Sequence, residues 1–303
     1  MHLTPPHPSP RVLDLLSLNI WVRPWFLLDG RAARVDRLAG PLRGYDVVVL
    51  NEAFEQRICG RLYDALAEEY PHRTPVLGSA SPPRPWGPAL KLWNGGVVML
   101  SRWPIERTDS RSFRDCLGPV DLWSDKGVLY ACVNKQGRRY HVFGTHAQAS
   151  SEGYIRLAFR LLGRDADAEL DAHRLANYDV VRAFIDESSI PATEPVLIAG
   201  DLNCDRLTRP HRFEHALRRL NAGFPEELSG PPCTIDPGVN SLARSPHHEW
   251  LDYVLWSRSH LEPRRSRIDV RPMRSERPWR SHPLGRSHHD LSDHHAVLGR
   301  FEF

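Results

Sequence analysis

Residues 196–203 read Val-Leu-Ile-Ala-Gly-Asp-Leu-Asn, an apolar run that becomes polar near its end. Such a run is typical of a buried β-strand, and the glycine lets the chain turn tightly as it leaves that strand. Asp201 and Asn203 are two residues apart, so both side chains can point toward a cation or an attacking water molecule. The same residues are common in ordinary turns, so the rest of the chain must decide between the two interpretations.

Two other apolar runs end in the same way. Residues 47–52 read Val-Val-Val-Leu-Asn-Glu and end at Glu52, and residues 142–146 read Val-Phe-Gly-Thr-His and end at His146. A carboxylate there is a suitable ligand for Mg²⁺, although a glutamate in this place also caps helices or forms salt bridges. Because such strand ends lie where a sheet meets solvent, we expect their side chains to converge on one pocket.

A fourth segment, Ser-Asp-His at 292–294, contributes His294, whose imidazole titrates near neutral pH. Asp252 interrupts an otherwise apolar run, and a lone acid in such a run is costly unless it is paired. We therefore predict that Asp252 orients His294 and raises its basicity. The chain has 16 histidines, so most have no catalytic role, and the pairs 247–248 and 288–289 are assigned none.

The composition is that of an ordinary globular protein. With 303 residues, 41% hydrophobic and 25% charged, the chain can bury a sizeable core, and no linker-like break divides it. We expect a flexible segment at 1–10 and a single catalytic domain at 11–303. The net charge of +3 is spread along the chain, which fits an anionic phosphate substrate without requiring nucleic acid. Five cysteines without a C-x-x-C pair predict free, mostly buried thiols rather than disulfides or a structural zinc site.

No apolar segment approaches the roughly 18 residues that span a membrane, and the first residues do not resemble a signal peptide. The chain as given therefore predicts a cytoplasmic protein, whereas a leader removed before this methionine would make it a secreted one.

The hydrophobic pattern predicts the secondary structure. Strands are expected at 11–20, 46–50, 95–101, 127–133, 139–145, 195–199, 250–256 and 296–302, and helices at 32–42, 56–69, 168–187 and 210–221. This order predicts an α/β (α+β) four-layer sandwich, in which two mostly antiparallel β-sheets pack face to face with helices outside.

The candidate residues are mainly oxygen donors without cysteine, which favours Mg²⁺ over zinc, with Mn²⁺ or Co²⁺ as substitutes. Hydrolysis of a phosphodiester matches this set. The metal neutralises the phosphate, a histidine takes a proton from water, and the Asp and Asn side chains place that water.

These motifs, in this order, resemble the Mg²⁺-dependent neutral sphingomyelinases of the phospholipase C type, in the DNase I-like endonuclease/exonuclease/phosphatase superfamily. The resemblance runs from about residue 11 to 302. It rests on Asn19 and on residues 51–52, 74–78, 94–97, 101–105, 125–128, 144–148, 200–203, 236–237, 240–241, 251–253 and 292–294.

The resemblance implies a role for each matching position. Glu52 and Asn19 would hold the main metal, and His294 would be the general base. Asp201 and Asn203 would position water or a second metal.

Three further positions carry implied roles. His146 would stabilise the developing negative charge, and Asp293 is a further metal candidate. Asp125 and Lys126 match a pair that gates the site in this family, although without the resemblance they would be interpreted as a surface turn.

The implied substrate is a choline phospholipid, with sphingomyelin cleaved to ceramide and phosphocholine. Relatives that attack bilayers carry an aromatic-rich hairpin before Ser-Asp-His, whereas residues 277–290 here contain one tryptophan and many cations, so we expect only weak peripheral membrane contact. A nuclease or a soluble-phosphodiester hydrolase of the same fold is the alternative, and a non-catalytic binding module is a third. Nucleic acid is the weaker partner because the arginines are scattered, and no obligate protein partner is implied.

Overall fold

The computed structural model describes residue 9 and residues 11–23, 30–78, 92–119, 121, 123–150, 159–281 and 285–303. The predicted N-terminal segment 1–10 lies outside these residues except for Ser9. The described residues include the helices α1 (Arg31–Leu38), α2 (Gln56–Leu66), α3 (Ala166–Glu187) and α4 (Pro210–Leu220), and a 3₁₀ turn at Arg114–Cys116. The strands are β1 (Val12–Val22), β2 (Val47–Ala53), β3 (His72–Arg73), β4 (Val98–Ser101), β5 (Ile105–Ser112), β6 (Gly127–Lys135), β7 (Arg138–His146), β8 (Val196–Asp201), β9 (Ala222–Gly223), β10 (Glu227–Ser229), β11 (Asp252–Ser257), β12 (Arg265–Arg271), β13 (Arg274–Arg280), β14 (Ser287–Asp290) and β15 (Ala296–Glu302).

Two large sheets form the centre of the molecule. The first has the order β10-β12-β15-β1-β2-β4-β3, and the second has the order β5-β6-β7-β8-β11-β9. Among the strands of the described residues, β1 with β2, β7 with β8, and β10 with β12 are parallel, and the other pairs are antiparallel. The strands β13 and β14 form a separate hairpin. The predicted α/β sandwich with two mostly antiparallel sheets is confirmed.

Alternation along β1 and β2 divides the core into two parts. Leu15 and Val49 belong to the cluster that fills the space between the sheets, whereas Leu16 and Val48 belong to a second cluster with residues of α1 and α2. This follows from the two-residue period of a strand, which sends neighbouring side chains to opposite faces. The outer face of the second sheet is covered by α3, where Phe184 packs edge-on against rings of the sheet.

Each strand and helix that the sequence predicted is present, with ends that shift by a few residues. The strands that were missed are short or polar. For example, β5 reads Ile-Glu-Arg-Thr-Asp-Ser-Arg-Ser and lies at the edge of its sheet, where one side of the strand faces solvent. Such a strand lacks the apolar alternation by which strands are recognised.

The five cysteines are free thiols, and all except Cys116 are buried, as predicted. Among the described residues, none of the helices combines the length and the apolar character that crossing a bilayer requires.

Candidate active site

The registers of the strands bring the predicted residues to one rim of the sandwich. In the second sheet, β8 lies between β7 and β11, and its last residue, Asp201, is paired with His146 on one side and with Asp252 on the other. In the first sheet, Asn19 is paired with Asn51. Neighbouring positions in two sheets therefore hold side chains that are far apart in the chain.

Two buried asparagines join the sheets at this rim. Asn19 donates from Nδ2 to Oδ2 of Asp201 at 3.2 Å. Asn51 donates from Nδ2 to the Thr145 carbonyl at 3.1 Å and accepts at Oδ1 from the Asp201 N–H at 3.2 Å. Leaving such buried groups unpaired would cost about 1–3 kcal/mol each, so these bonds fix Asp201 from the opposite sheet. The sequence analysis gave Asn51 no role, although its place beside Glu52 at a strand end was the available signal.

Unusual backbone conformations cluster at the same rim. Glu52 and Asn203 have φ angles of 55° and 53°, a left-handed region in which non-glycine residues are uncommon. Gly200 has a φ of 147°, and a Cβ atom there would lie 1.8 Å from the Thr145 carbonyl oxygen, so only glycine fits. The β1–β2 register shifts between Asn19 and Val22, and irregularities of this kind redirect side chains at sheet edges and near active sites.

His294 and Asp252 form a buried pair, with 2.7 Å between Nδ1 and Oδ2. Burial opposes the charged imidazole, but the negative charges of Asp252, Asp293 and Asp201 outweigh it, so the pKa of His294 is raised well above its usual value. The other oxygen of Asp252 is buried and has no hydrogen bond within the described residues. The predicted pairing of these two residues is thus present.

Asp201 lies beside this pair. One ligand atom from each of Asp201, Asp252 and His294 falls within 4.8 Å of the other two. Burial, and then the charge of Asp252, raise the pKa of Asp201 to about 7. Its Oδ1 accepts the N–H of Asn203 at 2.9 Å, and Asn203 donates from Nδ2 to the Ala147 carbonyl at 3.2 Å. Asp201 and Asn203 therefore form one braced turn at the rim.

Lys126 reaches the same cluster from the second sheet. Its ammonium lies 3.1 Å from Nε2 of His146 and 2.9 Å from Oδ1 of Asp121, and it donates to the Ala147 carbonyl at 3.3 Å. Burial and the nearby charges of Lys126 and His294 lower the pKa of His146 well below its usual value, so the ring is neutral beside a cation. Asp121, which holds the ammonium, was missed by the sequence analysis.

Asp125 occupies a different place from its neighbour. Its Oδ1 accepts from the hydroxyl of Ser112 at 2.5 Å. Its side chain packs so closely against Gly78 that a Cβ atom added there would lie 2.8 Å from it. Asp125 and Lys126 are only 4% and 2% exposed, so interpreting them as a surface turn was wrong. Lys126 belongs to the cluster, whereas Asp125 braces the chain next to it.

Glu52 and His294 lie at the same rim. Glu52 follows Asn51, which is paired with Asn19, and Ser292 donates from its hydroxyl to the Asn19 carbonyl at 2.5 Å. Burial raises the pKa of Glu52, Arg23 lowers it and Asp293 raises it. Glu52 Oε2 has an ion pair with Arg23 Nε at 3.5 Å but no hydrogen bond within the described part of the chain. Asp293 is held through its carbonyl by Nδ2 of Asn240 at 3.2 Å.

These carboxyl groups fit a hard divalent cation. Buried oxygens of Glu52 and Asp252 have no hydrogen-bond donor among the described residues, and the pKa values of Glu52 and Asp201 are raised. Each of these features costs free energy that a cation would offset. Carboxylate and amide oxygens are the ligands that Mg²⁺ prefers.

Residues 16–294 match the Endonuclease/Exonuclease/phosphatase family. The chain belongs to this family. Sphingomyelinase C 2 from Leptospira interrogans is a relative with 32% identity over 304 residues, which cover 95% of this chain and 46% of the relative. The chain spans about half the length of the Leptospira relatives that it matches.

Two solved structures of the family are similar over their whole length. Sphingomyelinase C from Streptomyces griseocarneus has a TM-score of 0.81 and 33% identity, covering 95% of this chain and 99% of that one. A variant of beta toxin from Staphylococcus aureus with bound magnesium ions has a TM-score of 0.83 and 27% identity, covering 96% and 99%. The resemblance drawn from the motifs is confirmed.

Proposed function

We propose that this chain is a Mg²⁺-dependent phosphodiesterase of the phospholipase C type, which hydrolyses sphingomyelin to ceramide and phosphocholine. The observation that carries the proposal is the buried His294–Asp252 pair, 2.7 Å apart, on the same rim as carboxylate oxygens that have no hydrogen bond within the described residues. The choice of substrate is supported by relatives that are named sphingomyelinase C and match this chain over 95% of its length. We further propose that residues 11–303 act as one catalytic domain.

Glu52 and Asn19 are the residues we propose to hold the metal, with Asp293 as a further ligand. When bound, Mg²⁺ would neutralise charge on the phosphate, and Mn²⁺ or Co²⁺ would substitute for it. The support from the chain itself is the buried Glu52 oxygen without a hydrogen bond and the Asp293 charge that raises the Glu52 pKa.

His294 is proposed as the general base. In its neutral form, with Nδ1–H donated to Asp252, His294 has a lone pair on Nε2 that takes a proton from water as the water oxygen attacks phosphorus. The carboxylates that raise the His294 pKa favour the protonated ring, so the neutral form requires that a cation at the site offset their charge. The bond from phosphorus to the ceramide oxygen then breaks, and the proton passes to that oxygen, giving ceramide and phosphocholine. Asp201 and Asn203, which brace each other at the rim, would orient the water.

Lys126 and His146 are proposed to stabilise negative charge on the phosphoryl oxygens. Both side chains are buried. A preorganised cation in a site shielded from water stabilises a negatively charged transition state far more strongly than a cation in solution does. Asp121 would keep the ammonium in place. For Asp125 together with Lys126 we propose the gating role that the resemblance implies for this pair. Movement of the gate would then break the hydrogen bond between Asp125 and Ser112.

Contact with a bilayer is proposed to depend on charge rather than on aromatic side chains. The only tryptophan of the β13–β14 hairpin, Trp279, is 3% exposed and donates from Nε1 to the Asp290 carbonyl at 3.0 Å. Arg277 and Arg286 are exposed on the same hairpin. Cations near an anionic surface contribute roughly 1 kcal/mol each, so anionic lipid should be required for firm binding.

The test is release of phosphocholine from sphingomyelin in mixed micelles, with Mg²⁺ and with a chelator. We expect release with Mg²⁺ and none with the chelator. A soluble phosphodiester and DNA are assayed in parallel. Cleavage of either without release of phosphocholine would favour the alternative hydrolases, and no cleavage of any substrate by folded protein would favour a binding module.

A further inference from the structure

A second group of metal-ligand side chains lies outside the cluster described above. Cys233, Asp236 and His248 each place one ligand atom within 4.8 Å of the other two. Nδ1 of His248 is 3.7 Å from the Cys233 sulfur and 3.2 Å from Oδ1 of Asp236. Cys233 is buried, whereas the side chain of His248 is 59% exposed, so the group is open to solvent on one side.

These separations match the edges of a tetrahedral zinc site. With zinc bonds of about 2.3 Å to sulfur and about 2.0–2.1 Å to nitrogen and oxygen, tetrahedral angles place sulfur about 3.6 Å from nitrogen, and nitrogen about 3.3 Å from oxygen. The observed values of 3.7 Å and 3.2 Å agree with both edges.

We propose that Cys233, Asp236 and His248 form a site for Zn²⁺, with water as the fourth ligand. The thiolate is a soft ligand that selects zinc over magnesium, so this site and the oxygen-rich rim would hold different metals. The chain has no C-x-x-C pair, and the ligands come from two segments, so the pattern of cysteines did not indicate the site.

The proposed ion would join two segments that support the active site. Ile235 and Glu249 form a β-bridge, and the N–H of Thr234 donates to the Glu249 carbonyl at 2.9 Å. Thr234 also accepts the His295 N–H at its carbonyl, at 2.7 Å, and the Leu251 N–H at its hydroxyl, at 2.9 Å. Leu251 and His295 adjoin Asp252 and His294. Zinc at this site would therefore stabilise the support of the catalytic pair.

Cobalt spectroscopy tests the site independently of enzyme activity. Co²⁺ is added to the full chain in the presence of excess Mg²⁺, and we expect a thiolate-to-cobalt charge-transfer band with the intense visible bands of tetrahedral cobalt. One equivalent of Zn²⁺ should remove both. None of the residues proposed to bind metal at the rim is a cysteine, so Co²⁺ bound there gives no charge-transfer band. Cys233→Ser should lose the band, and His248→Gln should weaken Zn²⁺ binding in equilibrium dialysis at least about 10-fold.

The controls are His247→Gln, which changes the adjacent histidine, and Cys59→Ser, which removes a thiol of α2. Both should bind zinc as the unchanged protein does. Because His248 is exposed, its substitution should leave folding intact even where Cys233→Ser does not. The proposal is overturned if folded protein gives no charge-transfer band, or if the band and zinc affinity are unchanged in His248→Gln.

Discussion

His294 Nδ1 and Asp252 Oδ2 lie 2.7 Å apart although 42 residues separate them in the chain. Asp252 begins β11 in the second sheet, and His294 lies two residues before β15 in the first. The pair therefore exists only when the two sheets are packed together.

Asp252→Asn tests the proposed orientation of His294. The amide keeps the size of the side chain but removes the charge that favours the imidazolium, so we expect kcat to fall by about 10²–10⁴ with little change in KM. Sphingomyelin turnover at several pH values measures this. Asp186→Asn, on the exposed end of α3, is the matched control, and equal activity in both variants would contradict the proposal.

Lys126→Met removes the ammonium beside His146. Because the charge of Lys126 lowers the pKa of His146, that pKa should rise, and kcat should fall by about 10²–10³. Proton NMR titration of the histidines and steady-state kinetics are the two measurements. In Lys126→Met the Asp121 carboxylate loses its partner, so the double variant Asp121→Asn, Lys126→Met is measured as well. An unchanged His146 titration in a folded variant would argue against the contact.

Glu52→Gln should abolish stabilisation by Mg²⁺. A metal at 100 times its Kd stabilises a folded protein by about 2.7 kcal/mol, and removal of the proposed main ligand should remove most of this. The increase in Tm on adding Mg²⁺ to chelator-treated protein measures the effect. Glu55→Gln serves as the control. A Mg²⁺-dependent shift of the same size in Glu52→Gln would exclude Glu52 as the main ligand.

Asp201→Asn should change how stability depends on pH without metal. Burial and the charge of Asp252 raise the folded pKa of Asp201 to about 7, so its proton is bound more tightly in the folded state. The contribution of Asp201 to the free energy of unfolding is fully present below the unfolded pKa of about 4. It is lost as the pH rises to about 7, with a slope of at most about 1.4 kcal/mol per pH unit. Urea unfolding in the presence of chelator gives the free energy of unfolding at pH 5 and at pH 8. The decrease between these two values should be smaller for Asp201→Asn than for the unchanged protein. Identical losses would contradict the assignment.

Replacing Arg277 and Arg286 together by glutamine should weaken binding to anionic vesicles. Two cations correspond to roughly 2 kcal/mol, which is about a 30-fold loss at low salt, and the loss should shrink as salt is added. Vesicle sedimentation with and without anionic lipid is the measurement. Arg57 and Arg218, exposed on α2 and α4, provide a control pair with the same change in net charge. Equal losses for both pairs would show that the hairpin has no special role.

The apolar runs were sufficient to predict the main strands and the residues at their ends. Glu52, His146 and Asp201 are recognisable because each directly follows or ends a buried run. What the runs do not encode is which ends become neighbours. Asn51 and Asp121 act through partners about 150 and 5 residues away, and only the packed sheets or the folded loop bring those partners together.

The polar strands were missed for a related reason. β5 and β13 carry many charged side chains because they lie at an edge or in a hairpin, where burial does not impose alternation. His248 was assigned no role because it lies in a polar stretch of the sequence, and the role proposed for it depends on a cysteine and an aspartate in another loop.

The hydrogen bonds that the side-chain amides of Asn19 and Asn51 make to the opposite sheet have a mechanical consequence. One sheet cannot slide along the other without breaking all three hydrogen bonds at the rim that carries the catalytic side chains. The rim therefore shares the stiffness of the whole sandwich, and a new substrate range requires remodelling of the surrounding loops rather than of the strands.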